Sequence, residues 1–145
     1  MSGEAKERLT ANNESMIKGG QTPSIATDIW SQGGASLLGV IQYFIHPGEI
    51  FITEKLVGTI PFGDQAHTGL NICVATKRAL SGVGIGEYVE VDGIVNADTV
   101  EDCVHKTVND SAANMKLAFF DFTGDECSGH MVQLSVWVAY RSPGA

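Results

Sequence analysis

Val104-His105-Lys106-Thr107-Val108-Asn109-Asp110-Ser111-Ala112-Ala113-Asn114-Met115-Lys116-Leu117-Ala118 joins a short β-type run to a segment rich in helix formers, and Asp110 stands at the junction. Ala112, Ala113, Met115, Lys116, Leu117 and Ala118 all favour helix. A carboxylate at the C-terminal end of a strand, facing the opening of the next helix, lies where open α/β sheets place their ligand sites. The same residue is a good helix N-cap, because Asp accepts bonds from the free N–H groups of a first turn. From these residues alone both roles stay open.

Upstream of this junction the chain reads as a meander. Ser24-Ile25-Ala26-Thr27-Asp28-Ile29-Trp30 alternates apolar and polar side chains, the mark of a half-buried strand. After a turn at Gln32-Gly33-Gly34-Ala35, residues 36–45 are apolar almost throughout, as expected of a strand covered on both faces. His46-Pro47-Gly48-Glu49 predicts a second turn, and residues 50–60 a third strand halted by Pro61. Three strands joined by tight turns predict an antiparallel arrangement.

The period then changes. From Thr68, a plausible N-cap, Leu70, Val74, Ala79 and Leu80 recur at helical intervals, with Ile72 and Cys73 widening the stripe. Lys77-Arg78 is expected on the exposed side of this helix. Gly82-Val83-Gly84-Ile85-Gly86 follows a helix instead of opening one, so it predicts a helix end and turn, not a dinucleotide loop. Residues 89–95 read as a short extended or irregular piece. Residues 96–103 read as a capped helical turn whose acids form a solvated face. Beyond Asp110 the pattern predicts a helix to about residue 120, a loop, the Cys127-Ser128-Gly129-His130 group, and a last helix from Met131 carrying Val132, Leu134, Val136 and Val138.

Composition bounds the reading. With 145 residues, 43% of them hydrophobic and 18% charged, the chain suits one domain, here residues 23–145, preceded by a polar tail at 1–22 expected to be loose. Nine basic against seventeen acidic residues give a formal charge of −8, which repels phosphate backbones. The longest apolar runs fall short of the roughly 20 residues a bilayer demands, so no membrane partner is expected. The N-terminal stretch carries Glu4, Lys6, Glu7 and Arg8 with no apolar run, unlike a signal peptide. A nuclear or cytoplasmic chain, not secreted, is expected. Cys73, Cys103 and Cys127 are then free thiols, and the sequons at Asn13 and Asn109 carry no weight.

Five blocks carry a resemblance: Thr27-Asp28-Ile29-Trp30-Ser31; the strand closing in Pro61-Phe62; His67-Thr68-Gly69-Leu70-Asn71-Ile72; Asp110-Ser111-Ala112-Ala113-Asn114-Met115; and Cys127-Ser128-Gly129-His130-Met131-Val132-Gln133-Leu134. In this order, over about residues 24–138, the chain resembles the hAT superfamily of transposases. The resemblance implies an α/β, RNase H-like mixed sheet with strands 1 to 3 antiparallel, then helix, strand, helix and a C-terminal helix. It also implies that Asp28 and Asp110 lie on adjacent strands as two of three acids that bind Mg²⁺ or Mn²⁺, and that His130 lies close to them in a catalytic role. Carboxylates suit such ions because hard oxygen ligands match hard cations. Zinc at Cys127 and His130 is disfavoured, since a zinc site normally takes four ligands and no second Cys/His pair stands at suitable spacing.

The family's third acid, a Glu far downstream after a helical insertion, does not occur before Ala145, and Glu126 precedes the Cys-x-x-His group and is misplaced to substitute. The N-terminal zinc-finger module and the C-terminal dimerisation segment are missing as well. The expectation is therefore an incomplete core: a truncated or fragmentary transposase, inactive alone, whose family binds DNA but which itself binds it weakly or not at all. An alternative is a domesticated, non-catalytic module that meets a protein partner or self-associates through uncovered core. An unrelated acidic α/β domain is a third reading.

Overall fold

The computed structural model describes residues 2–33, 35–45, 51–62 and 67–109. Their elements run α1 (Gly3–Lys18), β1 (Ser24–Gln32), β2 (Ala35–Ile45), β3 (Ile52–Pro61), α2 (Gly69–Gly82), β4 (Tyr88–Val91), β5 (Ile94–Asp98), a 3₁₀ turn (Glu101–Cys103) and β6 (Thr107–Val108). The result is a mixed α/β fold whose main sheet has the order β3-β2-β1-β6, with β4 and β5 forming a separate two-stranded ribbon. Among the described residues, no helix is long and apolar enough to cross a membrane.

As the sequence predicts, β1, β2 and β3 are antiparallel, with Thr27 opposite Val40 and Phe44 opposite Thr53. An irregularity between Val40 and Ile41 gives β3 one extra residue, Val57, whose side chain is buried. β6 joins the other edge of β1 in parallel, Ile25 pairing with Thr107 and Ala26 with Val108.

One face of this sheet is covered. Ile25, Leu38, Val40 and Val57 meet Ile72 and Leu80 of α2, together with Val83, Ile85 and Val100 from the segments after it. α2 starts where Thr68 caps it, the hydroxyl accepting from the N–H of Asn71, and stops at the glycine-rich turn. Gly84 is indispensable to that turn. Its φ is +81°, and a Cβ there would lie 2.9 Å from Cγ of Glu14 and 3.0 Å from the carbonyl oxygen of Thr10.

Those contacts belong to α1, and they correct the expectation of a loose tail at residues 1–22. Residues 3–18 form a full helix. Ser2 caps it by accepting from the N–H of Ala5, Glu4 lies in its first turn and Lys18 in its last, as the helix dipole prefers. Leu9 and Asn13 are the residues it buries. Asn13 donates to Gln42 Oε1 (2.9 Å) and to the Val83 carbonyl (2.8 Å), and Gln42 donates back to Asn13 Oδ1 (2.7 Å). Every amide bond in that pair is returned, which is what allows two polar side chains with no solvent exposure to stay in a core.

Three other expectations are refined. Residues 89–95 lie in a hairpin turned by Asp92 (φ 51°) and Gly93 (φ 77°), the pair of positive φ angles that a type I′ turn uses, with a register shift between Val89 and Glu90 that leaves Asn96 as an extra residue. The helical turn expected at 96–103 shrinks to the 3₁₀ turn, because residues up to Asp98 continue β5. Lys77 does not lie on a solvated face: it is 7% exposed and held by Asp98 and Glu101. The helix expected after Asp110 and the last helix from Met131 lie outside the described residues.

Candidate functional site

Asp28 sits in the middle of β1, two residues beyond the last described pairing with β6. Strand alternation puts Ile25 and Thr27 on the face packed by the helices and Asp28 with Trp30 on the opposite one, where both are exposed. Asp28 Oδ1 accepts from the N–H of Ile29 at 3.0 Å, which fixes one oxygen close to the strand.

The cross-strand partner of Asp28 is Gly39, and the absence of a side chain there has a visible use. A Cβ on Gly39 would lie 2.8 Å from Trp30 Cζ3 and 3.1 Å from Cη2. The indole edge therefore lies close against the bare backbone of β2 at Gly39. Asp28 and Trp30 thus form a shallow shelf on the face of β1 turned away from the helices, exposed among the described residues, with the indole against β2 and β6 along the other edge of β1.

No protein-family model matches this chain. No curated protein matches it either.

Of the residues predicted to form the site, Asp28 is placed as described, whereas Asp110, Cys127 and His130 lie outside the described residues. Among the described residues no three His, Cys, Asp or Glu side chains converge in a way that could hold a metal. Asp28 suits Mg²⁺ or Mn²⁺ in ligand type, since it presents carboxylate oxygen on an exposed face.

A second cluster escaped the sequence reading. Lys77 Nζ donates to Asp98 Oδ2 and to Glu101 Oε1, joining α2 to the end of β5 and the 3₁₀ turn. Burial pulls the pKa of Lys77 down, but its bonds to the two carboxylates outweigh that and leave it well above the usual lysine value. Its neighbour Arg78 pairs with Glu90 at 2.9 Å. The acids of residues 96–103, expected to be merely solvated, thus include two that hold a buried cation. A cation held between two acids is a poor base, and the cluster fastens α2 to the end of β5 and the 3₁₀ turn. Cys73 and Cys103 take part in no disulfide among the described residues, and burial, with Asp102 nearby, pushes the Cys103 thiol up and disfavours its thiolate.

Proposed function

We propose that residues 24–138 are the first half of a metal-dependent, RNase H-like DNA strand-transfer core of the hAT transposase type, with Asp28 and Asp110 as carboxylate ligands of Mg²⁺ or Mn²⁺. A single observation carries this reading. The strand that runs towards Asp110 is the one that pairs with β1, and it does so in parallel. In both described pairs, Ile25 with Thr107 and Ala26 with Val108, the separation along the chain equals that between Asp28 and Asp110. The strand order β3-β2-β1-β6 with an antiparallel β1–β3 is also the order that the resemblance implies.

Such an ion, when bound, activates a water or 3′-hydroxyl and stabilises the leaving oxygen of a phosphodiester. What this chain contributes is ligand placement. Asp28 is anchored through Oδ1 to its own strand, and Trp30 walls the shelf on the β2 side. His130 belongs beside the two acids in this reading. Two carboxylates leave most of an octahedral shell to water, so weak metal binding and no strand cleavage are expected of this pair by itself.

Paramagnetic broadening by Mn²⁺ tests the assignment. Amide signals of β1 around Asp28 should broaden in the wild type and sharpen in Asp28→Asn and in Asp110→Asn; equal broadening in all three would refute it. Incubation with transposon-end duplex and Mn²⁺ should give no nicking above a denatured control. Reproducible nicking lost in Asp28→Ala would overturn the inactivity.

A further inference from the structure

The β4–β5 ribbon has two unlike faces. With Asn96 as the extra residue where the register shifts, pairing puts Tyr88, Asp98, Glu90 and the half-exposed Val95 on one face and Val89, Ala97, Val91 and Ile94 on the other. The first faces α2: Asp98 holds Lys77, Glu90 holds Arg78, the N–H of Tyr88 donates to Ser81 Oγ, and the ring of Tyr88 packs on the core. The second is entirely aliphatic and points away. Val89, Val91 and Ile94 are 37%, 52% and 67% exposed. A hairpin of this length is marginal by itself, yet this one is bolted down by two ion pairs and by the bonds between Glu87 and Thr99. Among the described residues, the groups that hold the ribbon do nothing to cover its outer face.

Charge indicates what covers it. Residues 79–104 contain Glu87, Glu90, Asp92, Asp98, Glu101 and Asp102 and no lysine or arginine. Three of these acids are engaged with the cations of α2. Glu87 at the base and Asp92 at the tip are exposed, and they bracket the aliphatic patch along β4 at a spacing on the order of 15 Å, set by the strand rise. A second copy of this chain would set acid against acid at both ends of the patch. An anionic membrane surface would meet the same repulsion.

We infer that the outer face of the β4–β5 ribbon docks an extended, aliphatic segment of a protein partner that carries lysine or arginine at both ends. Val89, Val91 and Ile94 supply the apolar contact, and Glu87 and Asp92 set the position and exclude acidic competitors. The inference is independent of the metal site.

The probes are two dye-labelled, end-capped peptides with alternating valine and threonine between terminal lysines or terminal glutamates, titrated into the full chain by fluorescence anisotropy. The lysine-ended peptide should bind saturably, and the glutamate-ended one roughly tenfold or more weaker. Val91→Thr with Ile94→Thr keeps the charge and the β-propensity, and should weaken the lysine-ended peptide by roughly tenfold. Glu87→Gln with Asp92→Asn should weaken it severalfold and flatten its salt dependence. Unchanged binding by the threonine variant would mean that the peptide only senses the net charge, and would overturn the inference. Absence of saturable binding to the wild type would do the same. A concentration-dependent dimer in sedimentation velocity that Ile94→Thr abolishes would assign the face to a second copy instead, and would also overturn it.

Discussion

A lysine taken almost fully out of water must keep its countercharges, and Lys77 keeps two. Removing it would leave Asp98 and Glu101 facing each other with nothing between them. Because each acid retains about a quarter of its side-chain exposure, solvent softens the loss. Lys77→Met is expected to cost about 3 kcal/mol, the lower end of what breaking a buried ion pair costs, read from urea unfolding. The pH dependence follows from the direction of the shift. The native pKa of Lys77 is raised above the usual 10.5, so its contribution is fully present below that value and is lost as pH rises through the higher native one. Unfolding curves across pH 7 to 11 should show a loss of stability in the alkaline part of that range that is absent from Lys77→Met.

At the level of elements, α1 is fastened to the sheet through a pair of amides as much as through apolar contact. Asn13→Leu would leave both polar ends of Gln42 short of partners in a fully buried position, at a cost of about 2 kcal/mol. Replacing Gln42 by Leu as well should recover most of that, since two apolar groups need no partners; thermal unfolding of the three variants measures the coupling. The same pair explains why this helix was hidden in the sequence. Its buried stripe has an asparagine where periodicity asks for an aliphatic residue, and a polar segment with a polar core position resembles a tail. By contrast β1, β2, β3 and α2 were legible, because alternation, turn residues and the Thr68 cap all act within a few positions. The ribbon was read only as an extended or irregular piece, because an aliphatic outer face hides the alternation of a strand and the turn pair Asp92-Gly93 lies inside that stretch. Lys77 was misread because its partners come 21 and 24 residues later, and local pattern carries no trace of them. For the candidate site, Asp28 could be picked out through its block of residues, whereas the bare Gly39 beneath Trp30 is a property of register.

Over the whole molecule, the structure sharpens what the net charge of −8 implies. Of Lys77-Arg78, the one adjacent basic pair, Lys77 is buried against Asp98 and Glu101, and Arg78, though exposed, already pairs with Glu90. Counterion release, which supplies most non-specific affinity for DNA, therefore has little to draw on. Fluorescence anisotropy with labelled duplex at about 0.15 M salt should detect no binding up to micromolar protein. Micromolar or tighter affinity would mean that a basic surface has been overlooked.

The place of β6 in the chain also has a consequence in time. β1 can pair with β2 as soon as their turn is made, but its other edge waits until the ribbon and the 3₁₀ turn have been synthesised. At translation rates of about 5–20 residues per second, that edge stays open for seconds. An open edge of unpaired N–H and C=O groups is a template for mispairing with a neighbouring nascent chain, and natural sheets guard such edges with charge. Asp28 is the only ionisable residue of β1. A carboxylate at that position is expected to guard the edge while the sheet is incomplete. Asp28→Asn should raise the insoluble fraction during cell-free synthesis while leaving the stability of the purified protein close to that of the wild type.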